Sequence, residues 1–272
     1  MLTLLHDAFR IVTSFTNGLG ASGYRTMQQV TGAEKSKTVS RMFGRIAKRY
    51  DLGNRVISLG RDQSWRRKAV AKLSPTAHDR LLDIGAGTGD LSLLMAHTAQ
   101  SVTALDFSHP MVVIGQAKAA KAGMNKKVAF VTGDALHLPF PDQTFDGIAT
   151  AFTVRNLAKM EQGFAEMRRV LKPGGRLVCL EFTNPRSRFV RFFYRPYLHY
   201  ILPILGGLLT GDGAAYRYLA RSITAFPSAQ SLAESIRAAG FPTVEWTTLN
   251  LGTVAIHSAR RESPPSIARA AA

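Results

Sequence analysis

Gly85, Gly87 and Gly89 stand at alternate positions directly after the apolar run Leu81-Leu82-Asp83-Ile84. Glycines so placed let backbone approach a ligand with no Cβ in the way. Between a strand and a helix, such a turn receives a nucleotide-like ligand at the carboxyl end of a parallel sheet. The spacing then separates ligand classes. A dinucleotide turn needs its third glycine where this chain has Asp90, and a Walker loop needs Gly-Lys-Ser/Thr. Neither is present. Gly-x-Gly-x-Gly behind an acidic strand end fits S-adenosylmethionine, for which no pyrophosphate has to be cradled. Asp83 would orient the turn or, through water, the ligand's amino group.

Two further acids extend the pattern. Asp106 ends the next strand, where one carboxylate can accept both ribose hydroxyls. Asp134 and Ala135 follow the third, where a carboxylate can accept from an exocyclic amine and an amide can donate to a ring nitrogen. Either acid alone reads as a turn or helix cap. Both, in order after consecutive strands, point to a nucleoside.

The elements that must hold these residues alternate. Strands are expected at Arg80–Ile84, Val102–Asp106, Val128–Thr132, Phe145–Ala151 and Arg176–Glu181. Helices are expected at Asp90–Thr98, His109–Ala122 and Ala158–Leu171, the last stopped by Lys172-Pro-Gly-Gly175. This is an α/β chain with a mostly parallel sheet. An Arg-, Tyr- and Phe-rich stretch at about 186–224 reads as a helical insertion before the last helix, Ser228–Ala239. Thr243–Leu249 and Thr253–His257, joined by Asn250-Leu251-Gly252, form a hairpin that closes the sheet with an antiparallel edge. Residues 1–38 read as a poorly ordered N-terminal extension with some helical periodicity. Residues 39–259 read as the main domain, and 260–272 as a disordered tail.

The 272 residues can bury a full core, and the net charge is +17. Such charge implies an anionic partner: nucleic acid, a membrane surface or an acidic ligand. Its densest tract, residues 35–72, carries twelve Lys or Arg against two Asp. One cysteine, Cys179, excludes an internal disulfide. No secretory signal is evident, and the charge-free run Pro196 to Gly211 is shorter than the roughly 20 residues that span a membrane. A nucleic-acid methyltransferase would want Asn/Asp-Pro-Pro-Tyr/Phe after strand four. The chain has Ala151-Phe152-Thr153-Val154-Arg155 instead, so nucleic acid is not the expected partner.

From about Thr38 to Ser258 the chain resembles the class I S-adenosylmethionine-dependent methyltransferases, whose Rossmann-like domain has a seven-stranded sheet. Within them it resembles the quinone C-methyltransferases of menaquinone and ubiquinone synthesis. Lys172-Pro-Gly-Gly175 is common to many methyltransferases. Arg49-Tyr50-Asp51 and Phe152…Arg155-Asn156 are far more specific to the quinone group. The resemblance implies that Thr88, Asp106, Asp134 and Ala135 bind S-adenosylmethionine, and it calls for no metal. It departs from the family at Ala151, where Ser is usual, so a backbone contact must serve there. Gly is usual at Thr153, and Met is frequent at Gly53.

The implied reaction is attack by a quinol ring carbon on a sulfonium methyl. A phenolate is a far stronger carbon nucleophile than a neutral quinol, so the site must take or stabilise the hydroxyl proton. Arg155, always protonated, would stabilise the oxyanion and orient a water. Asn156 would hold the substrate oxygen, and Tyr50 and Asp51 would complete the pocket. His137 and His199 are alternative bases. A polyprenyl tail would require collection at an anionic membrane surface by Phe189, Phe192, Phe193, Tyr194, Tyr197 and the Ile201–Leu209 run, flanked by arginines. The expected setting is cytoplasmic and peripheral at the inner face of the membrane, with a homodimer allowed. A small-molecule O-methyltransferase would share the cofactor half.

Overall fold

The structure is a computed structural model that describes residues 39–263, apart from residues 40 and 43 and the side chain of residue 48. The extension read over 1–38 and the chain beyond residue 263 lie outside the described residues.

One seven-stranded sheet organises the molecule. Its strands are β1 (Arg80–Ile84), β2 (Ser101–Asp106), β3 (Val128–Thr132), β4 (Phe145–Ala151), β5 (Leu171–Phe182), β6 (Val244–Leu249) and β7 (Val254–Arg260), in the order β3-β2-β1-β4-β5-β7-β6. Strands β1 to β5 are parallel. Because β1 lies between β2 and β4, the chain leaves β1 toward one edge and returns on its other side. That reversal opens a crevice beyond the carboxyl ends of β1 and β4.

Nine α-helices are described: α1 (Tyr50–Ile57), α2 (Arg61–Leu73), α3 (Asp90–Ala96), α4 (His109–Lys121), α5 (Met160–Val170), α6 (Arg188–Pro196), α7 (Leu202–Thr210), α8 (Gly213–Ala225) and α9 (Ala229–Ala238). Side chains alternate across β1, so both sheet faces must be covered. Leu81 packs with Trp65, Leu73 and Met95 under α2 and α3. Leu82 and Ile84 pack with Phe164, Met167 and Ile236 under α5 and α9. A separate cluster joins Met42 and Ile46, ahead of α1, to Leu198, Leu202, Tyr216 and Ile223 of the insertion. The insertion and the N-terminal segment thus form a cap over the crevice end of the sheet.

Two strand boundaries differ from the sequence expectation by three residues or more. Strand β5 starts at Leu171, not Arg176: Leu171 pairs with Phe145, and the register shifts between Phe145 and Gly147. Lys172-Pro-Gly-Gly175 is therefore an irregularity inside the strand, and helix α5 ends just before it. Strand β7 runs to Arg260, which pairs with Arg176. Arg261 donates its amide to the Gly175 carbonyl at 2.9 Å and its guanidinium to the Arg168 carbonyl at 2.8 Å. The chain is thus held through Arg261, inside the tail expected from residue 260. Last, β7 is inserted antiparallel between β5 and β6, so β6 is the outer edge of the closing hairpin.

Candidate active site

The glycine turn leaves β1 with left-handed backbone at Gly85 (φ 69°) and Gly87 (φ 57°). A Cβ on Gly85 would collide with the Thr153 side chain, and one on Gly87 would stand 3.8 Å from Tyr50 Cε1. A side chain at residue 87 would therefore fill the space the turn keeps open. The Gly87 amide donates to Asp106 Oδ2 and the Ser108 amide to Oδ1, both at 2.8 Å. Burial raises the Asp106 carboxyl above its ordinary range, opposed by these two amides. Asp106, Asp134, Ala135 and Ala151 line one groove with Gly85 and Gly87. Asp134 is braced by the Leu136 amide at 2.9 Å. The missing hydroxyl at Ala151 is not replaced by Thr153, whose Oγ1 donates to the carbonyls of Gly85 and Ala151, both at 3.2 Å.

Three of the expected cofactor residues lie behind this groove rather than on it. Asp83 is buried and accepts from Ser92 Oγ at 2.6 Å. Burial pushes its carboxyl up to about 7, against the Ser92 hydrogen bond and the Arg66 charge. Thr88 is buried and donates to Asp51 Oδ1 at 2.5 Å. Gly89 caps α3. These residues shape the turn. Asp51 likewise lines neither the groove nor the cavity beside it. Its other oxygen accepts from Lys118 of α4 at 2.7 Å, so it fastens α1 to the turn instead of completing a pocket.

Beside the groove is an apolar cavity of about 710 Å³ under the cap, walled by Tyr50, Phe152, Phe182, Tyr194, Leu198 and Tyr218 among others. Tyr50, Phe152 and Asn156 line both spaces. Phe152, the residue after β4, has φ 61°. Such backbone is costly for a bulky side chain and persists only where surroundings over-determine it. Here the ring packs on Phe182 with centroids 4.6 Å apart, edge-on to Trp65, and under the Arg66 and Arg155 guanidinium groups.

Arg155 is not a free cation in the cavity. It is buried, pairs with Glu181 Oε1 at 2.7 Å and donates to the Phe152 carbonyl. Its charge is already answered by a buried carboxylate, and it lines the cavity beside Phe152 and Asn156. Asn156 Oδ1 accepts from Tyr218 Oη at 3.2 Å. Tyr50 hydrogen-bonds Asn54, and burial raises its phenol above the usual range, so it stays protonated. His137 and His199 do not line the cavity. Asp62 does, and among the described residues it is the only carboxylate that does so. It is buried, with Oδ2 accepting from Arg66 at 2.8 Å and Oδ1 from Ser58 Oγ at 3.0 Å.

The sequence matches the ubiE/COQ5 methyltransferase family over residues 30–261. The chain belongs to that family. Demethylmenaquinone methyltransferase of Thermus thermophilus is 46% identical over 79% of this chain and 98% of its own. Ubiquinone/menaquinone biosynthesis C-methyltransferase UbiE of Geotalea daltonii is 38% identical over 84% of this chain and 98% of its own. The fold is that of class I S-adenosylmethionine-dependent methyltransferases. A methyltransferase structure from Thermotoga maritima, described as a possible histamine N-methyltransferase, superposes with TM-score 0.60 at 20% identity over 82% of this chain and 99% of its own. In this methyltransferase, sequence reasoning missed Asp62, Arg66 and Glu181. A readable signal existed for each of them: Asp62 and Arg66 are four apart on one helix. Glu181 is the lone acid in an apolar strand, which demands a buried partner.

Proposed function

We propose that the protein moves a methyl group from S-adenosylmethionine to a ring carbon of a polyprenyl quinol, demethylmenaquinol first among candidates. The observation that carries this is the shared wall: a groove that holds the Asp106 and Asp134 carboxylates and an apolar cavity that holds aromatic rings meet at Tyr50, Phe152 and Asn156. Two dissimilar ligands can thus touch at one place.

The groove's residues fit the methyl donor. Gly87 keeps space free, Asp106 presents an oriented carboxylate for ribose, and Asp134 with Ala135 stands where adenine would lie. S-adenosylmethionine supplies an electrophilic sulfonium methyl when bound. The protein supplies placement and charge. Asn156, with its carbonyl oxygen held by Tyr218, offers its amide nitrogen to a quinol oxygen. Phe152, locked by the two guanidinium groups, fixes the plane of the wall. Asp62 accepts the quinol hydroxyl proton and becomes neutral, so the Arg66 charge it had answered is free to face the quinolate oxygen; once the ring carbon carries the methyl, the ring C–H proton returns to that oxygen and the ring is aromatic again. The cap excludes water from the methyl path.

The apolar cavity favours this acceptor over small polar substrates of an O-methyltransferase. The quinone methylation for which the two relatives are named supports the same choice. A membrane-resident acceptor also accounts for α6, which exposes Phe189, Phe192 and Phe193 beside Arg188, Arg191 and Arg195. Among the described residues no helix is long and apolar enough to cross a bilayer. We infer docking on anionic lipid, not insertion across it. Quinones extracted from cells lacking the gene test the whole reading. Accumulated demethylmenaquinone, or an unmethylated benzoquinol, is the expected result. An unchanged quinone profile rejects it.

A further inference from the structure

Leu59 and Leu251 are the most exposed large apolar residues described, at 85% and 81%. Both also line the 710 Å³ cavity. A residue can do both only at a mouth. Leu59 lies in the turn between α1 and α2, and Leu251 at the tip of the β6–β7 hairpin. Arg61 Nη1 donates to Asn250 Oδ1 at 2.8 Å and ties the two tips together.

Both leucines have left-handed backbone, φ 52° at Leu59 and 57° at Leu251, and Leu251 sits between Asn250 (φ 50°) and Gly252 (φ 83°). Each neighbours a glycine, so the chain had the tolerant residue at hand one position away. Leucine is poorly suited to such backbone. An apolar side chain that is strained and leaves its surface in water gains nothing from folding. Two of them, at the mouth of one apolar cavity, require a use outside the fold.

The cavity's volume is finite, so a long tail on a ring held at Asn156 has to leave it. Val56 and Leu205 also line the cavity and are exposed, which continues the apolar rim from α1 to α7. We propose that Leu59 and Leu251 form the exit for the isoprenoid tail and set the preference for tailed over tailless acceptors. This rests on the quinol reading above. It differs from docking by α6, because the two leucines would touch the substrate itself.

The test compares two acceptors in phosphatidylcholine vesicles: 1,4-naphthoquinol with a single prenyl unit, and the same ring with a long polyprenyl chain. Leu59→Gly/Leu251→Gly removes both side chains while suiting the backbone, and Leu59→Asn/Leu251→Asn is the second variant. The readout is the ratio of kcat/KM for the long-tailed acceptor to that for the short one. We expect this ratio to fall about tenfold in both variants, the scale of one lost apolar contact per leucine. An unchanged ratio in active variants, or a proportional loss on both acceptors, overturns the tail exit and leaves the quinol reading standing. A wild-type enzyme that methylates neither acceptor overturns both.

Discussion

The Thr88 hydroxyl donates to the Asp51 carboxylate across 37 positions of sequence, and through that bond the glycine turn is fastened to α1. Lys118 strengthens the joint by pairing with both Asp51 and Asp90. Asp51→Asn should leave the fold intact, since the Asp51 and Lys118 side chains are partly exposed, and raise KM for S-adenosylmethionine about tenfold with a small change in kcat. Steady-state kinetics at saturating quinol reads the split. A fall in kcat alone would return Asp51 to the chemistry.

Arg155 and Glu181 form a buried pair, and the Arg155 guanidinium lies over the Phe152 ring. Arg155→Met leaves Glu181 without its cation and should cost about 3–5 kcal/mol, a drop in Tm of about 10 °C. The double variant Arg155→Met/Glu181→Met should recover most of that stability and stay impaired in kcat, because Phe152 loses its clamp. Recovery of full activity would show that the pair has no positioning role.

Asp83 gives a pH dependence of stability. Its carboxyl is up near 7 in the folded chain because burial disfavours the charged form. Between the ordinary carboxylate range and pH 7 the unfolded chain therefore binds fewer protons than the folded one, and stability falls as pH rises. Above pH 7 the loss is complete, with about 4 kcal/mol as its ceiling. Asp83→Asn should remove it. Urea denaturation at pH 5 and pH 8 should show the variant gaining about 2–3 kcal/mol on the wild type between the two. Parallel pH profiles for the two proteins would contradict this.

Asp62 carries the proton in the proposed reaction. Asp62→Asn should lower kcat about 100-fold while leaving S-adenosylmethionine affinity near the wild-type value. Asp62→Glu should restore part of the rate. An equal fall in affinity and rate would mark Asp62 as a structural partner of Arg66 only.

Docking through α6 predicts retention on vesicles that contain anionic lipid at low salt and release at high salt. Phe192→Asp/Phe193→Asp should abolish retention, since both rings are exposed and their loss leaves the fold untouched. Flotation assays check it. Retention of that variant would move the docking face elsewhere.

The sheet was readable because its signals are local. Apolar runs such as Leu81–Ile84 and the breaks after them mark strands whatever surrounds them. The groove was readable for the same reason: Asp106 and Asp134 sit at strand ends that sequence order alone predicts. Long-range partnerships were not readable. Nothing near Arg155 in the chain announces Glu181, 26 positions on, so an arginine answered by a buried acid reads like a free one. The proline and glycines of Lys172-Pro-Gly-Gly175 signal a loop, and only the pairing of Leu171 with Phe145 makes them part of a strand. The mouth was hidden as well, because Leu59 and Leu251 are distant in sequence and become neighbours only when the hairpin folds over the α1–α2 turn.

The wall common to groove and cavity has a thermodynamic consequence. Tyr50 belongs to both spaces and rides on α1, which Asp51 joins to Thr88 and Lys118. Donor and acceptor then bind to two faces of one residue. Their affinities are linked, and linkage is reciprocal: the factor by which donor binding tightens acceptor binding is the factor by which the acceptor tightens the donor. In such an enzyme, order of addition and strength of product inhibition are two readings of how firmly α1 is held.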